Sequence, residues 1–347
     1  ESFDAVMVCS GRHQTPRWPE IEGREAFRGE LLHSASYSEP APFADRNVLV
    51  IGVGSSGVDI AEELAPVARR TLLSASSGAW LIPRTVDGRP ADHYVTRLGN
   101  LLPDRLRERI LRHLVVKEYR RQGVDIERSP MPLPPFDLRR ARLTPGKELA
   151  RLIDEGAIEV VPRIRRLVPE GVELEDDRVE PVDAVIAATG YRVEAAFFPP
   201  GLIPREGRVP RLYKHVCPPG IDSLAFIGVP WVVGAYPPVL ELQARWVARA
   251  FAGRCGLPTA EVMEDHVART VRRTHDERLT YDRVQPIEYM DDLAREIGCH
   301  PRPWRHPRLL MPLLTGPLLP AHYRLDGPNR WSGAAAASAP GTAFCAW

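Results

Sequence analysis

The sequence predicts an α/β protein whose sheets run parallel, and three stretches carry that prediction. Residues 47–64, NVLVIGVGSSGVDIAEEL, pass from an aliphatic run through glycines straight into a helical pattern. A run such as Val48 to Ile51 suits a strand covered on both faces, which is the condition of strands in a parallel sheet. Residues 70–76, RTLLSAS, supply the next short strand, so strand, tight turn, helix and strand make one βαβ unit. The third observation is an internal echo. FDAVMVCSG at 3–11 and VDAVIAATG at 182–190 share an acid (Asp4, Asp183), an apolar run, a small residue (Cys9, Ala188) and a hydroxyl–glycine pair. One pattern at one spacing predicts two domains of one plan, each ended by an equivalent strand.

Taken in order, the helix after the glycines has Val58, Ile60, Ala61 and Leu64 as its apolar positions. Residues 85–145 are less regular. Within them LLPDRLRERILRHLVVKEYRRQG, 101–123, predicts an amphipathic helix with Leu102, Leu106, Ile110 and Leu114 spaced by four. Pro103 suits its first turn and Gly123 its end. Its Arg-rich face reads as solvated over a domain edge, in preference to a face resting on a membrane. The Pro-rich SPMPLPPF follows at 129–136 as a loop. AIEVVP (157–162), GVELED (171–176), DAVIAATG (183–190) and SLAFIGVP (223–230) read as strands. PVLELQARWVARAFAG (238–253) reads as a helix closed by Gly253, and the tail runs into the low-complexity SGAAAASAPG.

Composition bounds the function. The 347 residues suffice for two domains. A formal net charge of +1 gives no long-range attraction to nucleic acid or an anionic surface. The 5 cysteines (Cys9, Cys217, Cys255, Cys299, Cys345) form no C-x-x-C pair, which leaves a redox dithiol and a zinc ribbon without support and fits a reducing compartment. No metal site is expected. No apolar run approaches the ~20 residues that span a bilayer. The nearest, LLMPLLTGPLLP at 309–320, is short and broken by prolines. A soluble, cytoplasmic protein is expected, and a homo-oligomer stays open.

Gly52-x-Gly54-x-x-Gly57 follows a strand and opens a helix, the context in which this spacing binds a dinucleotide. Gly52 permits the tight turn, Gly54 lets backbone approach a pyrophosphate, and Gly57 lets helix and strand pack closely. The helix N-terminus offers free N–H groups to phosphate, and Ser55 and Ser56 add hydroxyls. The form of the nucleotide is read at the end of the second strand, where Asp or Glu marks NAD. From Ala65 to Val86 there is no acidic residue, while Arg69, Arg70 and Arg84 are present. That favours NADP, although Ser74, Ser76 and Ser77 alone would tolerate either form.

A further motif, Phe27-x-Gly29-x-x-x-His33-x-x-x-Tyr37, has no metal spacing, and His33 reads as a hydrogen-bonded linker residue over a catalytic base. FRGELLHSASY resembles the identifying fingerprint of the flavin-containing monooxygenases. CSG with Arg12-His13, the glycine motif, SSGAW, AATGY, GAYPPVLELQARW, IEYMDDLAREIG and YRLDGPNRWSGA fall in that family's order. The resemblance implies two Rossmann-like dinucleotide-binding domains, the NADP domain inserted in the FAD domain. It also implies NADPH- and FAD-dependent transfer of one oxygen atom, from a flavin hydroperoxide, to a nitrogen or sulfur of a small amine or sulfide, with molecular oxygen as co-substrate. In the family a glycine motif for FAD precedes the residues matching FDAVMVCSG, and no second G-x-G-x-x-G occurs here. The expectation is a FAD domain incomplete at its N-terminus, with Glu1 a truncation point. The expected division is 1–40 (end of the FAD segment and linker), 41–190 (NADP domain, helical insertion about 85–145), 191–335 (rest of the FAD domain) and 336–347 (tail).

Carried over residue by residue, the resemblance places NADP pyrophosphate on Gly52, Gly54, Ser55, Ser56, Gly57 and Asp59. Ser76 stands where many members hold the 2′-phosphate with Arg, and Arg84, just beyond Trp80, is the expected substitute. Thr189, Gly190 and Tyr191 resemble the family's strand-end linker, with Ser10 and Gly11 their counterparts on the flavin side. Trp231 replaces a Gln beside the flavin. Glu241 and Gln243 open a helix aimed at the flavin ring, and their reading as capping and surface residues weighs equally. Tyr37, where ketone-oxidising relatives carry Trp, leans toward heteroatom oxidation. No catalytic residue is assigned. The alternatives are a Baeyer–Villiger oxygenase and a chain that only binds NADP; disulfide reductases share the plan but need a cysteine pair.

Overall fold

The computed structural model describes residues 2–339 except 76, 138–140, 194–196, 200–201, 203–204, 207–208, 233 and 275–282. The chain divides into two compact units. One holds residues 1–15, 92–103 and 192–347, the other residues 16–91 and 104–191.

The second unit is built on a parallel five-stranded sheet. Its strands in chain order are β1 (Glu30–His33), β2 (Asn47–Ile51), β3 (Arg70–Ser74), β4 (Ile158–Val161) and β5 (Ala184–Ala187), and they lie in the order β4-β3-β2-β5-β1. Register sets Val50 beside Leu73 on one side and beside Ile186 on the other. Side chains alternate between faces, as strand period two demands. Val48, Val50, Leu73 and Ile186 pack with helix α1 (Ser55–Leu64) through Val58, Ala61 and Leu64. Leu49, Leu72 and Val185 join Ile164, Leu167, Val172 and Leu174 of an antiparallel three-stranded meander on the other face. Covering on both faces is why the central strands β2 and β5 read as apolar runs.

The acid of the 182–190 stretch has a structural task. Asp183 Oδ2 accepts the Asn47 N–H at 2.7 Å, and the Asp183 carbonyl accepts Glu30 N at 3.0 Å, so one residue aligns the starts of three strands. The first of two further helices, α2 (Asp104–Arg121), departs from expectation. Leu106 and Ile110 of the predicted stripe are 44% and 43% exposed, and the buried positions are Val115, Val116, Glu118 and Tyr119. Spacing by four tells which residues share a face; it does not tell whether any element covers that face. The other, α3 (Leu149–Asp154), lacks a side-chain cap of its own. Instead Glu62 Oε1 on α1 accepts Lys147 N, Glu148 N and Leu149 N at 2.9, 2.9 and 2.7 Å, placing a carboxylate at the positive end of the helix.

In the first unit, Val6–Val8 and Leu224–Phe226 pair in parallel, Val6 beside Leu224 and Val8 beside Phe226. Helices α4 (Pro237–Phe251) and α5 (Pro286–Ile297) bury Val239, Leu242, Trp246 and Val247 with Met290, Leu293, Ala294 and Ile297. Gly253, at φ +66°, follows α4 as expected. Among the described residues no helix is long and apolar enough to cross a membrane, and the described cysteines, Cys9, Cys217, Cys255 and Cys299, are free thiols.

Candidate functional site

The glycine loop between β2 and α1 has the geometry that its spacing requires. Gly52 adopts φ +107°, and a Cβ there would stand 2.7 Å from the Ala188 carbonyl oxygen at the end of β5. A Cβ on Gly57 would stand 2.0 Å from the Gly52 carbonyl oxygen, so only glycine lets α1 start this close to the strand. Gly54 differs. A Cβ there would meet one atom within 4 Å, Nη1 of Arg142 at 3.4 Å, and the backbone is otherwise open to an approaching group. Gly54 is also the N-cap of α1 and supplies no capping side chain, while Ser55 and Ser56 are exposed. An uncapped helix start of this kind presents backbone N–H groups that have no partner within the helix.

Two residues that sequence reasoning passed over attend this loop, Thr144 by a hydrogen bond and Arg142 by proximity to Gly54. Strand Leu143–Gly146 runs parallel to Trp80–Pro83, and from it the buried Thr144 hydroxyl donates to the Val53 carbonyl at 2.8 Å. Arg142 precedes that strand, its carbonyl accepting Trp80 N at 2.8 Å. The one signal for a strand here was Leu-Thr, and Pro145 argued against it.

The remaining predicted residues of this unit fall as follows. Asp59 on α1 accepts from Arg84 Nη2 at 2.7 Å. Burial pushes the Asp59 carboxyl up, and Arg84 pulls against that. Arg84 is therefore engaged beside the loop. Ser74 is buried and its hydroxyl donates to Pro162 O at 3.0 Å, Ser77 is exposed, and Ser76 lies outside the described residues. Gly78, at φ +62°, lies so close to Pro132 of the Pro-rich loop that a Cβ would sit 1.8 Å from its carbonyl oxygen. Trp80 Nε1 fastens the same loop by donating to Pro134 O at 2.7 Å.

His33, buried at the end of β1, is a linker pin. Its Nδ1 accepts Ala35 N at 3.1 Å, so Nε2 carries the hydrogen and donates to Gly190 O at 3.0 Å. Burial lowers its pKa and the bond to Gly190 opposes that. With both nitrogens engaged, it has no lone pair left for a base. Gly190 O also accepts Arg17 N at 2.9 Å, the Thr189 hydroxyl donates to Arg17 O, and the Tyr191 ring stands edge-on to His33. The structure thus gathers Thr189, Gly190 and Tyr191 around the linker at residues 17–18. Tyr37 donates to Glu63 Oε2 at 3.1 Å and stacks on Phe43.

In the first unit Ser10 is exposed and Gly11, at φ +79°, has nothing within 4 Å of a Cβ. Next to them Arg12 Nη1 donates to Tyr236 OH at 2.7 Å and to Pro230 O at 3.2 Å. Trp231 is half-buried. Gln243 requires correction. It is 0% exposed, its Oε1 accepts Gly228 N at 2.9 Å, and its Nε2 donates to Tyr289 OH at 2.7 Å. An amide with both ends used inside the core presents nothing to a cofactor. Glu241 accepts from Arg245 and Arg324, the helix-surface alternative. The first turn of α4 is poor in donors, because Pro237 and Pro238 have no N–H and Val239 N and Leu240 N bond to Tyr236 O.

The model of the family described as FMO-like, flavin-binding monooxygenase-like, matches residues 1–340. The chain is similar to flavin-containing monooxygenase 3 of Macaca mulatta, 35% identical over 345 residues, covering 96% of this chain and 64% of that protein. It is similar to dimethylaniline monooxygenase [N-oxide-forming] 2 of Mus musculus, 34% identical over 347 residues with the same coverages, 96% and 64%. The chain thus spans about 64% of the length of these curated relatives. Among solved structures, the S-allyl-L-cysteine S-oxygenase of Allium sativum matches with TM-score 0.57 at 25% identity, over 86% of this chain and 55% of that one. Cyclohexanone monooxygenase from Rhodococcus sp. Phi1 bound to NADP+ matches with TM-score 0.59 at 18% identity, over 85% and 73%, a likeness of fold.

Proposed function

This chain belongs to the flavin-binding monooxygenase-like family, and we propose that it works with NADPH and FAD as a monooxygenase placing one oxygen atom on a nitrogen or sulfur of a small molecule. The observation that carries the reading is the loop Gly52–Gly57, open over Gly54 and closed by backbone contact at Gly52 and Gly57. When bound, the nicotinamide and flavin groups supply hydride and oxygen activation. The chain's own residues do the rest. The α1 N-terminus and the Ser55 and Ser56 hydroxyls hold pyrophosphate, and Thr144 fixes the loop from behind. The absence of an acid at the end of β3, where Ser74 stands, removes the carboxylate that would repel a 2′-phosphate and so favours NADPH.

On the flavin side the chain contributes Ser10 and Gly11 at the end of Val6–Val8, without a second glycine loop. No step is assigned to side chains there. Nitrogen or sulfur as acceptor is supported by relatives named for N-oxide formation and S-oxygenation. Tyr37 in the His33 motif points the same way. The competing reading, Baeyer–Villiger oxidation, draws on fold likeness to the cyclohexanone monooxygenases. The test supplies FAD, NADPH and oxygen to the chain with dimethylaniline, an alkyl sulfide or cyclohexanone. N-oxide or S-oxide with oxygen-dependent NADPH consumption supports the reading. Lactone alone transfers the assignment to ketones, and NADPH binding without turnover reduces it to nucleotide binding.

A further inference from the structure

We propose that Arg142 grips the bridging phosphates of the dinucleotide over Gly54, at the N-terminus of α1. The proposal rests on the dinucleotide reading of the loop and names a residue that reading did not include. Three observations converge on it. Nη1 of Arg142 lies 3.4 Å from the point a Cβ on Gly54 would occupy, over the residue whose bareness admits a phosphate. The backbone that carries it is tied at two points, one of them in the loop. Its carbonyl accepts Trp80 N, and two residues on the Thr144 hydroxyl donates to Val53 O.

The third observation is electrostatic. Arg142 is exposed, and among the described residues its guanidinium has no hydrogen-bond or ion-pair partner, whereas Arg84 beside the loop is committed to Asp59. A guanidinium held at the positive end of a helix is repelled by it, unless an anion lies between the two. A pyrophosphate supplies that anion, and a planar guanidinium is suited to pair with its oxygens two at a time.

Position also decides which phosphate. The adenosine ribose is read at the end of the strand that follows the helix, here at Ser74 where β3 ends, whereas Arg142 stands over Gly54, just past β2. Arg142 is therefore assigned the phosphates that NADPH and NADH share, and not the 2′-phosphate that separates them.

The experiment measures dissociation constants of NADPH and NADH, at low and high salt, for the full chain and for Arg142→Ala, Arg142→Lys and Gly54→Ala, with thermal melts as a fold control. Arg142→Ala is expected to weaken both nucleotides by the same factor, about tenfold or more, and to flatten the salt dependence. Arg142→Lys is expected to recover part of the loss, because it keeps the charge without the fork. A loss confined to NADPH would overturn the proposal in favour of a 2′-phosphate contact. Unchanged affinities in Arg142→Ala, with binding lost in Gly54→Ala, would overturn it while leaving the loop assignment intact. Unchanged affinities in both variants would bring down the loop assignment as well.

Discussion

His33 Nε2 donates a hydrogen bond of 3.0 Å to the Gly190 carbonyl, across 157 residues of sequence. The same carbonyl accepts Arg17 N, so a residue of the β1 strand end pins two linker segments at one oxygen. The Trp18 and Tyr191 rings both stand edge-on to the imidazole.

Removing that pin loosens the linkers. His33→Ala is expected to lower unfolding free energy by about 2–4 kcal/mol, from lost packing and an underused, half-buried carbonyl. Chemical denaturation reads the loss. An equal loss in His33→Gln would mean that ring packing dominates over the bond to Gly190.

The glycines of the loop should separate stability from binding. Gly54→Ala, at φ −78° and facing only a side-chain end, should leave the melting temperature close to wild type and raise the NADPH dissociation constant at least about tenfold. Gly57→Ala forces a methyl against the Gly52 carbonyl and should cost about 1–3 kcal/mol of stability besides. Calorimetric titration paired with thermal melts distinguishes them.

Thr144→Val keeps the volume and removes the donor to Val53 O. A buried carbonyl without its partner costs about 1–3 kcal/mol, and the loosened loop should bind NADPH several-fold more weakly. Full affinity in this variant would show that the brace is idle.

Asp291 on α5 accepts from the buried Arg97 guanidinium and from Tyr323 OH, the latter at 2.7 Å. Burial would raise the Asp291 carboxyl, but the hydrogen bonds from His300, Arg97 and Tyr323 outweigh it and hold the pKa near about 2. Asp291→Ala leaves a buried cation unpaired and should cost about 3–5 kcal/mol. Denaturant midpoints compared with Tyr323→Phe, expected to lose far less, check the ordering.

His322 gives the fold an acid sensitivity. Burial, with Arg97 nearby, lowers its pKa from 6.5 to about 3. The unfolded chain takes up the proton near 6.5 and the folded chain only near 3, so this contribution is complete above pH 6.5 and is lost as pH falls toward 3. Each pH unit within the window costs about 1.4 kcal/mol, or about 2 kcal/mol between neutrality and pH 5. His322→Leu should flatten urea midpoints across that range. An unchanged slope would place the sensitivity elsewhere.

The sequence by itself determined the strands β2, β3, β4 and β5 and the Gly52–Gly54–Gly57 loop, because those signals are local, whereas β1, Glu30–His33, carries no apolar run. A strand covered on both faces must be apolar residue by residue, and the loop's requirements close within six positions. It also carried the likeness to the monooxygenase family and the reading of His33 as a linker residue. Tertiary structure alone decided that Thr144 and Arg142 attend the loop, since the Thr144–Val53 bond spans 91 residues and no periodicity crosses that gap. It decided that Gln243 is spent in the core, and that α2 buries Val115 and Tyr119 while Leu106 and Ile110 face outward. Local pattern tells what a segment can bury or bind; which neighbour arrives to cover it, or to use it, is fixed only when distant segments pack.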